Sequence, residues 1–234
     1  MNMLPFTFAG LNLHALPSGA LWWESARCLM VADLHLGKSE RMARRGGALL
    51  PPYEVTETLN RLKEDIALLS PAEVLCLGDS FDDTACFKAL HNADLAKLSD
   101  LRAKCNWVWI TGNHDPVGVD AQEMFELTRG PLVLRHIAHA GALAPGTLGE
   151  VSGHYHPKHQ VPTRGGRVSR ACFLVTPTRM ILPAYGAYTG GLQLCDPAFD
   201  TFRTPGSYAI LTGSRPVAVP LDVPSQSSAR VAGR

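Results

Sequence analysis

The chain of 234 residues has little net charge, because its 22 basic and 21 acidic side chains leave a formal charge of +1 at pH 7. So small a charge does not create the strong overall field that attracts a protein to nucleic acid or to a membrane surface. Any site for a polyanion must therefore be a local basic patch.

The sequence also lacks long apolar runs and paired cysteines. No stretch approaches the ~18 apolar residues of a membrane-spanning helix, and the N-terminal segment has neither the basic nor the apolar region of a signal peptide. The six cysteines include no C-x-x-C pair, and several lie inside apolar runs, which is typical of reduced, buried thiols. We therefore expect a cytoplasmic protein without a membrane segment.

Strands alternate with helices in the first half of the chain. Apolar runs predict buried strands at 27–35, 72–79 and 106–115. Between the first two strands, apolar residues recur every three or four positions from residue 55 to 69, which predicts an amphipathic helix. A second helix is predicted at 84–104.

The second half of the chain is predicted to be mainly strands. These are strands at 131–136 and 149–156 and hairpins at 171–184 and 208–220. The order of elements predicts an α/β protein in which two sheets pack together with helices outside. We expect one domain, residues 1–221, followed by a small polar tail, 222–234, that is disordered.

Five predicted strands end in polar residues that a hydrophobic core would not select. These residues are Asp33 and His35; Asp79; Asn113, His114 and Asp115; His136; and His154 and His156. In open α/β sheets, ligands bind in the crevice beyond the carboxyl ends of the strands, so we expect these side chains to converge. Six of the nine histidines lie in or beside these strand ends. Such clustering would be unusual if these segments were only solvent-exposed turns without a common function.

Carboxylate, imidazole and amide side chains together form a donor set for two divalent metal ions. A two-metal site holds its ions roughly 3.5–4 Å apart, and Asp79 is the candidate carboxylate to bridge them. Mixed imidazole and carboxylate ligands favour manganese, iron or zinc over magnesium or calcium. The ions would activate a hydroxide that attacks phosphorus. His114 would then protonate the leaving group as a general acid, with Asp115 orienting its ring.

Five short motifs occur in an order that resembles the calcineurin-like metallophosphoesterases. They are D-x-H, G-D, G-N-H-D, a lone His and G-H-x-H. Together they span residues 33–156. The resemblance implies a four-layer α/β/β/α sandwich with His114 as the catalytic acid. It also implies two ligand sets, namely Asp33, His35, Asp79 and His156 for one metal, and Asp79, Asn113, the lone histidine and His154 for the other.

Four further segments resemble the bacterial ligase-associated DNA damage response endonucleases. They are LWW (21–23), VADLHLGK (31–38), GHYHPK (153–158) and ILPAYGAYTGG (181–191). This narrower resemblance implies a metal-dependent phosphodiesterase, with Mn²⁺ as the expected metal, that cuts DNA or DNA ends during repair. It also implies a functional link to an ATP-dependent DNA ligase and a helicase.

Two assignments have alternatives. The segment LRHIAHAG offers His136 and His139 as the lone histidine, and His136 is favoured because it directly ends the predicted strand. Asp82 either orients a ligand histidine or caps the following helix. Asp83 stands where phosphoprotein phosphatases of the superfamily usually carry a phosphate-binding arginine, which argues against that activity.

Basic clusters follow two of the predicted metal-binding strand ends, at 37–47 and 157–170. In the first we predict that Lys38, Arg41 and Arg45 hold substrate phosphates. No module for reading base edges is visible, so we expect DNA binding without sequence specificity. Two alternatives are the same chemistry on a small nucleotide or pyrophosphate-linked substrate, and a non-catalytic scaffold, which the complete set of ligand positions disfavours.

Overall fold

A computed structural model describes residues 2–47, 49–115, 124–163 and 165–223. The predicted disordered tail lies outside the described residues from residue 224 onward, and so does Arg164 of the second basic cluster. The single domain over residues 1–221 stays a prediction. No helix within the described ranges is long and apolar enough to cross a membrane.

The first sheet contains six strands in chain order. They are β1 (Leu4–Phe8), β2 (Leu11–Ala15), β3 (Leu21–Trp23), β4 (Cys28–Val31), β5 (Glu73–Leu77) and β6 (Asn106–Ile110). The first four form an antiparallel meander, whereas β4, β5 and β6 are parallel. Parallel neighbours need a crossover connection, and helices provide it. These helices are α1 (Lys38–Arg44), α2 (Glu54–Leu69), α3 (Thr84–Ala89) and α4 (Asn92–Arg102).

The second sheet contains eight strands. They are β7 (Glu126–Arg129), β8 (Leu132–Arg135), β9 (Gly149–Ser152), β10 (Lys158–Thr163), β11 (Gly166–Val175), β12 (Arg179–Ile181), β13 (Tyr208–Leu211) and β14 (Val217–Pro220). Strands β8, β9 and β12 run parallel to one another. The antiparallel pairs β11–β12 and β13–β14 confirm both predicted hairpins.

The two sheets pack face to face across one apolar core. Leu75 and Leu77 of β5 meet Leu134 of β8 and Phe173 of β11 in this layer. The opposite face of the first sheet packs against α2 and α4. Because both faces of β4 and β5 are buried, these strands appear in the sequence as continuous apolar runs rather than as alternating patterns.

The outer face of the second sheet is covered differently. Leu194, Phe199 and Phe202 pack on it from a segment that includes a 3₁₀ helix, Pro197–Phe199, and the described residues place no α-helix there. The predicted sandwich of two sheets is confirmed. In the fourth layer, the rings of Phe199 and Phe202 cover part of the outer face of the second sheet.

Two helical segments differ from the sequence prediction. The helix predicted at 84–104 is divided into α3 and α4, because Leu90 and His91 adopt extended backbone with ψ of 138° and 143°. The first basic cluster was not predicted to be helical, yet α1 occupies residues 38–44 of it. Its basic side chains therefore have fixed positions beside the strand end that they follow.

Replacing Phe173 with alanine should lower the free energy of unfolding by about 3–5 kcal/mol, because the ring is 0% exposed between the sheets. Urea denaturation followed by circular dichroism measures this. Val168→Ala on the same strand is the control, since Val168 is 37% exposed and should change stability by no more than about 0.5 kcal/mol. Equal losses from both variants would contradict the assigned core.

Candidate metal centre

The five polar strand ends meet at one edge of the sandwich. They follow the parallel strands β4, β5 and β6 of the first sheet and β8 and β9 of the second. Parallel strands place their carboxyl ends at the same edge, which brings these residues together. Two groups of potential metal ligands result: Asp33, His35 and His156; and Asp79, His136 and His154.

The first group joins the loop after β4 to the loop after β9. His156 Nε2 lies 3.2 Å from Asp33 Oδ1 and 3.3 Å from His35 Nε2. Asp33 and His35 are buried, and the backbone N–H of His154 donates to Asp33 Oδ2 at 2.9 Å. Each sheet therefore contributes part of this group.

The second group centres on His136, which follows β8. Its Nε2 lies 3.2 Å from His154 Nδ1 and 3.4 Å from Asp79 Oδ2. Asn113 Oδ1 lies 3.0 Å from the same nitrogen. Asp79 Oδ2 is also 3.9 Å from His35 Nε2, so this carboxylate stands between the two groups.

Hydrogen bonds behind two of the histidines determine which atoms face the centre. We assign His35 Nδ1 as a donor to Asp82 Oδ1 at 2.7 Å and His136 Nδ1 as a donor to the Leu77 carbonyl at 2.9 Å. A neutral imidazole, the form that binds metal, donates from one nitrogen only, so in that form Nε2 of both rings presents a lone pair to neighbouring acceptors. Buried acceptors that converge in this way need a cation. The donor set therefore fits divalent metal ions.

Five residues of these groups have left-handed backbone conformations. The φ angles are 55° at Asp33, 44° at His35, 48° at Asp79, 72° at His154 and 46° at His156. Such conformations cost of order 1–3 kcal/mol each and persist where the surrounding structure imposes them, most often at functional sites. The strain is therefore concentrated where the potential ligands converge.

The segment 153–157 is not the extended strand that the sequence predicted. Strand β9 ends at Ser152, and the left-handed conformations of His154 and His156 place their rings in different groups. Tyr155 lies between them and packs on Phe199 and Phe202, with ring centroids 5.6 and 5.5 Å apart. A strained turn, held by this packing, separates the two histidines.

Glycines allow the strand ends to approach one another closely. Gly78 has a φ of 83°, and a Cβ there would meet the His136 ring. A Cβ at Gly153 would lie 2.5 Å from Asp33 Oδ2, which is closer than real Cβ contacts. Gly78 therefore supplies a turn with positive φ, whereas Gly153 is required for close packing against a ligand carboxylate.

Asp115 does not contact the His114 ring, so its predicted orienting role is corrected. Asp115 Oδ1 accepts from the backbone N–H groups of Ser80 and Phe81, and Oδ2 accepts from Gly112 N–H at 2.8 Å. The His114 ring instead contacts the Asp82 carbonyl through Nδ1 at 3.2 Å. Asp115 thus fixes the loops after β5 and β6, because buried backbone donors need an acceptor.

His139 lies away from both groups. Its ring is exposed and accepts from Gly141 N–H at 3.2 Å, and its own N–H donates to Glu150 at 2.9 Å. His136, by contrast, is 4% exposed and contacts Asp79 and Asn113. The geometry favours His136 over His139 as the potential ligand.

Asp82 lies behind His35 and connects it to Arg41. Arg41 Nη1 donates to Asp82 Oδ2 at 2.9 Å, while the other carboxylate oxygen accepts from His35. Of the two predicted roles for Asp82, the structure shows the orienting one. Asp83, the next residue, caps α3 by accepting from Cys86 N–H at 2.8 Å. Arg41 is thus bound to a buried carboxylate, and its predicted contact with substrate phosphates stays a prediction.

The other predicted substrate-binding residues flank Arg41 in and after α1. Lys38 begins the helix and lies near enough to Asp82 to lower its pKa, and Arg45 is exposed at the helix end. Glu40, Asp83 and Cys86 also cluster here, but Arg44 donates to both carboxylates, at 3.0 and 2.6 Å. Because the Arg44 guanidinium already balances the negative charge of these carboxylates, we do not assign a metal site to this cluster.

Burial and neighbouring charges act in opposite directions on the carboxylates of the centre. Burial raises the pKa of Asp79, but His136 and the N–H of His114 outweigh it and lower the value to about 2. Burial likewise raises the pKa of Asp82, and His35 and Arg41 lower it to about 2. Both groups are therefore ionised at neutral pH, as metal binding and ligand orientation require.

The segment 181–191 packs directly on the loop that carries Asp33. Gly186 N–H donates to the Asp33 carbonyl at 3.1 Å, and a Cβ at Gly186 would meet Leu34 O. Helix α2 anchors this segment: Thr58 accepts from Ala187 N–H at 3.0 Å. This glycine-rich segment therefore lies beside the centre.

Sequence reasoning missed a buried anchor between α2 and this segment. Asp65 Oδ2 accepts from Tyr185 Oη at 2.8 Å and from Ser18 Oγ at 2.7 Å. A signal was present, because Thr58 and Asp65 are polar residues seven apart on the apolar face of the helix. Polar residues at buried positions of an amphipathic helix indicate specific partners.

Comparison with known proteins supports the geometry. Residues 26–167, more than half of the chain, match the family model for calcineurin-like phosphoesterase. The crystal structure of Pseudomonas putida nuclease MPE is similar, with 30% identity and a TM-score of 0.70, over 92% of this chain and 100% of that one.

A predicted phosphoesterase of Streptococcus pneumoniae, an uncharacterised protein, is 12% identical over 82% of this chain and 95% of that one. Its TM-score is 0.32, which is too low to inform the fold. A search of curated proteins found no match. The family match and the extended similarity to the nuclease establish that this chain belongs to the calcineurin-like phosphoesterase family and is a hydrolase of phosphoester bonds.

Proposed function

We propose that this protein is a two-metal phosphodiesterase that cleaves DNA. The observation that carries the proposal is the pair of acid–histidine groups with Asp79 between them and His114 beside them. Asp33, His35, Asp79 and His156 would hold one ion, and Asp79, Asn113, His136 and His154 the other. Imidazole, carboxylate and amide donors favour Mn²⁺, with Fe or Zn as alternatives.

When bound, such ions activate a water nucleophile and neutralise the charge of the phosphodiester. The chain's own residues supply the remaining functions. Asp82 orients His35 through a 2.7 Å hydrogen bond, and Arg41 balances the charge of Asp82. The Leu77 carbonyl fixes His136 in the same manner. These partners hold the ligand atoms in place before an ion binds.

His114 is the proposed general acid. Its backbone N–H donates to Asp79 Oδ1 at 2.8 Å, and its ring stands edge-on to His35 with centroids 5.4 Å apart. Because Nδ1 contacts the Asp82 carbonyl, Nε2 is the atom left to carry the transferable proton. Protonation of the leaving alkoxide from this position completes the cleavage.

Similarity to the P. putida nuclease over 92% of the chain supports a nucleic-acid substrate, and DNA is the one that we propose. Lys38 and Arg45 are proposed to contact its phosphates without reading bases. A role in repair, a functional link to an ATP-dependent DNA ligase and a helicase, and a cytoplasmic location remain predictions from the sequence.

The first test compares phosphodiester with phosphomonoester hydrolysis. With Mn²⁺, the wild type should hydrolyse bis-p-nitrophenyl phosphate faster than p-nitrophenyl phosphate and should cut an oligodeoxynucleotide. His114→Ala should lower kcat for cleavage of the oligodeoxynucleotide by about 10²–10⁴-fold, since a general acid contributes that much when the leaving group is an alkoxide. Steady-state absorbance assays and gel electrophoresis provide the measurements.

His139→Ala is the matched control, because this exposed histidine lies outside the centre and its removal should leave activity unchanged. Hydrolysis of the monoester but not the diester would contradict a phosphodiesterase. Full activity of His114→Ala would refute its proposed role, and hydrolysis of the model diester without DNA cleavage would point to a small nucleotide substrate.

A second prediction concerns the residue behind His35. Asp82→Asn should weaken Mn²⁺ affinity by about 10–100-fold, because the hydrogen bond that orients the ligand histidine loses its charge. Isothermal titration calorimetry measures the affinity. Asp100→Asn, which changes an exposed carboxylate on α4, should have no effect. Equal affinities for the two variants would show that Asp82 does not support the centre.

A further inference from the structure

A groove of about 550 Å³ opens directly beside the candidate metal centre. His156 forms part of its lining, and most residues of the glycine-rich segment 183–190 line it as well. The groove is also lined by Ser169, Arg170 and Ala171 of β11. Its volume lies within the range of small-molecule and cofactor sites, roughly 300–1,000 Å³.

The groove is positively charged. Three cationic side chains line it, Arg61, Lys158 and Arg170, against one carboxylate, Glu57. Glu57 is already paired with Arg61 at 3.1 Å. Within the described part of the chain, Lys158 and Arg170 form no side-chain hydrogen bond or ion pair. These two cations are therefore available for an anionic ligand.

The position of the two cations relative to the centre is set by the backbone. Lys158 lies two residues after His156, and its N–H donates to the Leu192 carbonyl at 2.8 Å. The Arg170 guanidinium reaches Gly213, where a Cβ would lie 3.7 Å from Nη1. Strand pairing places Lys158 opposite Ala171 and His159 opposite Arg170, so the two cations lie on neighbouring strands beside the metal ligand.

An aromatic ring completes the groove. Tyr188 lines it and is 40% exposed, although large aromatic side chains are usually highly buried. Its φ is 58°, a left-handed conformation that costs energy for a bulky residue. A strained backbone that presents an aromatic ring to solvent beside unpaired cations indicates a stacking surface.

The segment that carries Tyr188 is held firmly on both sides. Thr189 Oγ1 donates to the Gly186 carbonyl at 2.9 Å, and Thr58 accepts from Ala187 N–H. Arg61 Nη1 donates to the Tyr185 carbonyl at 2.7 Å. The backbone that carries the ring is therefore held in place before a ligand binds, which lowers the entropic cost of stacking.

We propose that this groove binds a nucleotide next to the scissile phosphate, with an unpaired base stacked on Tyr188 and with Lys158 and Arg170 on the backbone phosphates. The proposal rests on the proposed function and names the part of the substrate that the second basic cluster and the glycine-rich segment hold. A base can stack on the ring only where it has left a duplex, so the bound strand is unpaired at this position.

Binding is measured by fluorescence anisotropy with full-length, Mn²⁺-loaded protein and a labelled oligothymidylate that carries nuclease-resistant phosphorothioate linkages. Tyr188→Asn should weaken binding about tenfold, since it removes the stacking ring while asparagine tolerates positive φ. Tyr188→Phe keeps the ring and should bind as the wild type does.

Arg170→Ala should weaken binding and reduce the slope of log affinity against log salt by about 0.7, the value for one phosphate contact on a single strand. Lys104→Ala is the charge-matched control, because Lys104 is exposed just before β6, at the opposite edge of the sheet from the centre. It should change neither affinity nor slope.

Wild-type affinity in both Tyr188→Asn and Arg170→Ala would overturn the inference, as would an equal loss in Lys104→Ala. The same proteins are tested for cleavage of an ordinary oligodeoxynucleotide. If the wild type binds as expected but cuts nothing, the proposed function fails while the groove stands. If it cuts DNA and the groove variants bind normally, the groove inference alone fails.

Discussion

Buried acceptor atoms that face one another are the constraint on which this structure depends. Carboxylate oxygens of Asp33 and Asp79 and ring nitrogens of three histidines, His35, His136 and His156, converge in one small volume, and buried acceptors that converge are unfavourable without a cation. Five parallel strands from two sheets must end at the same edge to produce it. The sandwich is therefore the means by which residues distant in the sequence share two ions.

The surrounding structure offsets the cost of that convergence. Left-handed backbone at five of the positions is maintained by glycines that allow close approach and by Asp115, which binds three backbone N–H groups. Asp82, Arg41 and the Leu77 carbonyl fix the histidine rings from behind. The anchors of α2 extend the same rigidity to the glycine-rich segment. A rigid groove beside a rigid centre favours precise positioning of a phosphodiester.

Much of the fold and most of the candidate centre were predictable from the sequence. The doubly buried strands β4 and β5 appear as continuous apolar runs, and polar residues at their ends are unsuited to a core. The role of Asp115 was not predictable, because the direction of a loop side chain depends on contacts with other segments, here the backbone N–H groups of Ser80 and Phe81. The helix α1 was missed because its seven residues bury little apolar surface.

The sequence by itself determined the main buried strands, most of the potential ligands and the family, since these depend on local periodicity and on motif spacing. Only the tertiary structure decided between His136 and His139 and placed Tyr188 in the same groove as Arg170. Those outcomes depend on contacts between chain segments far apart in the sequence, which local patterns do not encode. The two sheets bring such segments together when their apolar faces pack.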